Sequence, residues 1–164
     1  MTDLSKVTIH AARLGETEVL KELIAQHADL NSRDEKGYTP LIIACYNGKY
    51  DAAKLLLENG SDIDAADFGG NTALMGAAFK GNVEIVQLLI SHGANLDAQH
   101  GNGGTALMFA AMFGRNDVIV QLLEAGADIS VLDVRGLSVF DLAAQQGNTT
   151  AIALLESHEG RKAG

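Results

Sequence analysis

At 164 residues the chain fits one domain, and its formal charge of -9 has the wrong sign for displacing counterions from phosphate, which sets aside a default nucleic-acid binder. Hydrophobic residues make up 47% of the sequence, yet aromatics are only 5% and tryptophan is absent, so burial must rest on Ala, Leu, Ile and Val carried by short elements. No apolar run approaches the ~18 residues of a membrane span, one cysteine permits no internal disulfide, and Met1 to Leu20 lacks the basic, apolar and small-residue succession of a secretory signal. A cytoplasmic location is expected on these grounds, with a mature exported chain as the alternative.

A 33-residue unit recurs along the whole chain. Gly15, Gly48, Gly81, Gly114 and Gly147 keep that spacing, a second column runs Gly37, Gly70, Gly103 and Gly136, and a third runs Gly60, Gly93 and Gly126. An unbroken period of this length predicts a solenoid of stacked supersecondary units rather than one globular core. The single domain 1–164 then divides into an N-terminal cap at 1–33, internal units at 34–66, 67–99 and 100–132, a C-terminal cap at 133–158 and a frayed tail at 159–164.

In the first unit, Lys6, Thr8 and Glu22 stand where the second has Thr39, Leu41 and Leu55, the polar pattern expected of a cap. The second unit opens a helix with Thr39-Pro40-Leu41, since proline at the first helical position gives up only an amide that has no partner there. In the third, Asp67-Phe68-Gly69-Gly70 has turn chemistry and predicts a hairpin-like finger. Thr72 then caps a helix carrying Leu74, Ala77 and Ala78, and Gly81 stops it. A second helix is predicted over Val83 to Ser91, with Ile85, Val86, Leu88 and Leu89 on its apolar face and Gly93 as its stop. The fourth unit repeats the pattern from Thr105-Ala106-Leu107. The fifth has an apolar finger, with Leu132, Val134 and Leu137, and Glu159 replaces its closing glycine. Helices this short are marginal alone, so each unit needs its neighbours.

Gly37-Tyr38-Thr39-Pro40-Leu41, Ala77-Ala78-Phe79-Lys80-Gly81, Val86-Gln87-Leu88-Leu89 and Gly93-Ala94-Asn95 resemble the successive signature segments of the ankyrin repeat, and the resemblance covers essentially the whole chain. It implies an all-α ankyrin-repeat solenoid with hairpin-like fingers, and a module that binds other proteins through those fingers and the first helices. The family usually places histidine after the leucine of its Thr-Pro-Leu run. Here Ile42, Met75, Met108 and Asp141 occupy that column.

Motifs for chemistry are weak. Cys45 shares a column with Ala12, Ala78, Ala111 and Ala144, a tight interhelical position rather than an exposed thiolate. The five histidines show no metal-binding spacing. Asn95, Asp97 and Gln99 alternate like calcium ligands, but His100 and Ala106 stand where that loop needs glycine and glutamate. Gly101-Asn102-Gly103-Gly104-Thr105 lacks the Lys-Ser/Thr ending of a phosphate loop. Asp34, Asp67 and Asp133 open successive fingers and serve the turn. No cofactor, no metal and no catalytic residue is assigned.

The columns left free by folding carry the functional signal. Three finger columns and two at the end of the first helix collect Tyr38, Tyr46, Phe68, Phe79 and Phe113 from the eight aromatics of the chain, with Met112 beside the last. In the family these columns line the concave groove. Rings on a rigid scaffold anchor interfaces because each buries a large area at little rotamer cost. Arg13, Lys36, Lys80 and Arg135 oppose only Glu35 in the same columns. The partner-binding set is therefore Lys36, Tyr38, Tyr46, Phe68, Phe79, Lys80, Met112, Phe113 and Arg135, serving a monomeric, non-enzymatic adaptor or inhibitor. The expected partner is a protein with an acidic patch or terminus. An enzyme site assembled across repeats and a single-strand nucleic-acid binder stay as alternatives.

Overall fold

A computed structural model describes residues 2–163, with side chains through Arg161. Its ten helices pair in chain order: α1 Asp3–Leu14 with α2 Thr17–Ala25, α3 Pro40–Tyr46 with α4 Tyr50–Glu58, α5 Ala73–Lys80 with α6 Val83–Ser91, α7 Ala106–Met112 with α8 Asn116–Glu124, and α9 Val139–Gln145 with α10 Thr149–Ala163. Odd helices pack on odd ones and even on even, each against the preceding and following repeat, so two helical layers form one solenoid. The core runs its whole length. Between the first helices lie Ala11, Ala44, Ala77, Ala110 and Ala143, all nearly fully buried, and between the second helices lie Leu20, Leu56, Leu89, Leu122 and Leu155. Alanine at every repeat brings the first layer close, and leucine fills the wider second layer.

Local chemistry fixes the helix ends. The hydroxyls of Thr39, Thr72, Thr105 and Ser138 accept from the amides of Ile42, Met75, Met108 and Asp141 at 3.2–3.3 Å. In the column where the family has histidine, Met75 Sδ accepts from the Thr72 amide at 3.5 Å, and the Asp141 carboxylate accepts from the Ser138 amide at 2.8 Å. Gly81 takes φ 73° and its amide reaches back to Ala77 and Ala78, so it stops α5 in a conformation a side chain would strain.

The fingers are hairpin turns without a regular strand among the described residues. Asp34, Asp67 and Asp133 each accept, through one carboxylate oxygen, two amides further along their own turn. Successive fingers then tie together: Phe68 N donates to Lys36 O, Gly101 N to Gly69 O and Val134 N to Asn102 O. Arg33 donates to the carbonyls of Gly37 and Ala66, and Gln99 repeats this one unit pair later on Gly103 and Leu132. At the foot of the repeats a second ladder runs from Asp62 N to Asn31 Oδ1, Asn95 N to Asp64 Oδ1 and Asp128 N to Asp97 Oδ1. Neighbouring repeats are thus registered at both edges.

Two end features differ from expectation. Lys6 and Glu22 are exposed, but Thr8 is fully buried and its hydroxyl donates to Leu4 O at 2.7 Å, so a polar residue in that column does not make a polar surface. The outer side of α1 instead exposes Leu4, Val7 and Leu14. At the other end α10 runs through Ala163 across the segment expected to fray. Glu159 stands where Gly60, Gly93 and Gly126 take the left-handed conformation after the inner second helices, and α10 runs on through Gly160; in the first repeat His27 takes that conformation, at φ 59°.

Candidate functional site

The first helices end on the side of the solenoid to which the fingers project, and their last residues form a row. Tyr46 at the end of α3, Phe79 near the end of α5 and Phe113 just past α7 meet across repeats. The Tyr46 and Phe79 rings lie 6.4 Å apart and 14° from parallel, and Phe79 and Phe113 meet edge-on at 4.7 Å and 71°. Such offset and edge-on pairs are favourable beyond their buried area. These contacts brace neighbouring repeats, yet Tyr46 and Phe113 stay 45% and 44% exposed, so the row still presents ring surface to solvent. Arg115 fixes its middle: Nε donates at 2.9 Å to the carbonyl of Phe79.

Beside this row a cleft of about 510 Å³ opens between the fingers and the first helices. Tyr38 stands half-buried on the second finger, Tyr46 and Phe79 close one wall, and Met75, Gly76 and Phe109 make the floor. Arg13, from the end of α1, lies at the first-repeat side. Lys80 Nζ sits 4.5 Å from the Tyr46 ring centroid, a cation over a ring face. His100 packs against Phe109 with centroids 5.0 Å apart, so the fourth finger, which has no aspartate at its start, leans on the cleft floor instead.

The nine expected site residues do not all converge. Tyr38, Tyr46, Phe79 and Lys80 gather at the cleft, and Phe113 extends the row beyond it. Lys36 is exposed on the second finger. Phe68, 73% exposed, sits at the third finger, its ring over Gly37 and outside the cleft lining. Met112 packs half-buried against the core. Arg135 bonds to Asp133 at 2.9 Å, so its charge is answered within its own finger and the basic count drops by one. The amide of Leu137, followed by those neighbouring arginine contacts, holds the Asp133 carboxyl below its ordinary range.

Two floor residues, Gly76 and Phe109, were missed because they lie in a column not counted as surface, which runs His10, Ile43, Gly76, Phe109 and Leu142. The signal that marks it is a glycine in mid-helix. Gly76 belongs to none of the three glycine columns.

Cys45 is fully buried, and desolvation pushes its thiol up to about 12, so it supplies no nucleophile near neutral pH. Among the described residues no helix is long and apolar enough to cross a membrane. What the arrangement offers is apolar area, ring faces and unbound cationic groups.

Three overlapping copies of a family model described as ankyrin repeats match residues 8–100, 64–133 and 92–163. No curated protein matches the chain.

Proposed function

We infer the function from the premise that the chain belongs to the ankyrin-repeat family. Ankyrin repeats are generally protein–protein interaction modules without an enzymatic step of their own. The finer reading is that this chain is an adaptor or inhibitor that grips one partner protein along its concave groove, between the fingers and the first helices. The observation that carries it is the row Tyr46, Phe79 and Phe113, braced by its own ring contacts and partly exposed at both ends. A rigid aromatic row loses little entropy when covered, which is what makes rings effective anchors. Lys36, Lys80 and Arg13 favour an acidic patch or terminus on the partner, against the -9 of the whole chain.

The test is capture of partners from the source cell by wild type and by a Tyr46→Ala/Phe79→Ala/Phe113→Ala variant of unchanged helical signal. Loss of the captured proteins is expected. An unaltered set would remove the groove from the account.

A further inference from the structure

Gly76 lies in the middle of α5, where its backbone needs no left-handed conformation. A Cβ built there meets only Tyr46 Cδ2 at 3.6 Å and Tyr46 Cβ at 4.0 Å, ordinary contact distances. The fold therefore has room for alanine, and glycine in a helix interior weakens the helix relative to alanine. Ile43 and Phe109 fill the same position in the flanking repeats. The missing side chain is what deepens the cleft between them. This spot coincides with the place where Tyr38, Tyr46 and Phe79 surround open space.

We propose that the hollow over Gly76 is a specificity notch that receives one large aliphatic or aromatic side chain from an extended acidic segment of the partner protein. This rests on the groove reading above and deepens it. The occupant's chemistry follows from the lining. Rings, Ile43 and Met75 surround the notch, which favours an apolar side chain. The Arg13 guanidinium and the Tyr38 and Tyr46 hydroxyls make no hydrogen bond to another described residue, whereas the lining carboxylate, Asp67, is already engaged by the Gly69 and Asn71 amides. A carboxylate beside the inserted side chain would meet Arg13 on one flank and Lys80 on the other. The occupant is a chain segment rather than an isolated small molecule because the ring row continues past the notch to Phe113.

The probe is a library of short random peptides selected against the purified protein. Wild type should enrich peptides with one Phe, Leu, Ile or Met next to Asp or Glu. For the winning peptides Gly76→Leu, which fills the notch, should weaken binding by about tenfold or more. Arg13→Glu should abolish the preference for the acidic neighbour while keeping that for the apolar residue. Gly76→Ala, whose Cβ the structure accommodates, gives the same readout with a smaller loss should the leucine variant fail to fold. Peptides that bind the Gly76 variants as tightly as wild type, yet are lost on Tyr46→Ala/Phe113→Ala, overturn the notch and leave the groove standing. Peptides indifferent to both sets, or no enrichment at all, overturn notch and groove together. Enriched peptides without an acidic bias overturn the charged half of the proposal.

Discussion

Cys45 occupies a position where Ala12, Ala78 and Ala111 are also buried between first helices, and its thiol is held at about 12 by desolvation. An unfolded chain would ionise the same thiol near its ordinary value of 9.0. Below about pH 9 both states keep the proton, so the stability tied to it is complete there; it drains away as pH rises toward the folded value, by about 1.4 kcal/mol per pH unit. Cys45→Ala should lack that slope. Urea unfolding from about pH 9 to 11 is expected to show the wild type losing stability faster than Cys45→Ala by about 1 kcal/mol per pH unit; parallel losses would refute it. This residue was legible in the sequence because its column already showed what surrounds it. The finger aspartates were legible for a similar reason, since their partners lie two and four residues away. Arg135 was not: a tally of charges by column does not show that Asp133 turns back to meet it.

Helix α5 carries a weakness that its packing does not require. Gly76→Ala is expected to raise stability by about 0.5–1 kcal/mol, because alanine restricts the unfolded chain and pays no steric cost at contacts of 3.6 Å and beyond. For a domain of this size the melting temperature should climb by roughly 2–4 °C per kcal/mol. A thermal melt that stays put or falls would mean the floor of the cleft is tighter than its geometry indicates. Stability gained while peptide affinity drops would be the signature of a position kept open for binding. Most of the element pattern was readable beforehand: Val83–Ser91 is a helix as its apolar spacing predicts, and threonine caps open α3, α5 and α7. The cleft floor was not readable in the same way. Periodic glycines draw attention to the backbone, and Gly76 acts through the space it leaves between Tyr46 and Phe109, two residues brought together only by stacking.

Because each helix packs chiefly against its own pair and the repeats on either side, stability in this molecule is a chain of neighbour terms rather than one global sum. Leu89 and Leu155 occupy equivalent columns and are both fully buried, but α6 is sandwiched between α4 and α8, whereas α10 packs chiefly on α8 and α9. Truncating either leucine to alanine should cost about 2–5 kcal/mol of packing where it occurs. The consequences differ by position. Leu89→Ala weakens the centre and should lower amide-exchange protection on both sides of it. Leu155→Ala should release α9 and α10 first, leaving protection over α3 to α8 near the wild-type level. The row Tyr46, Phe79 and Phe113 and the notch over Gly76 belong to those inner repeats, so the groove ought to outlast the loss of the terminal unit. Hydrogen exchange read by mass spectrometry distinguishes the cases: equal loss of protection along the whole chain in Leu155→Ala would mean that the array folds as one cooperative block, and that a partner gripping the groove feels every repeat rather than the ones it touches.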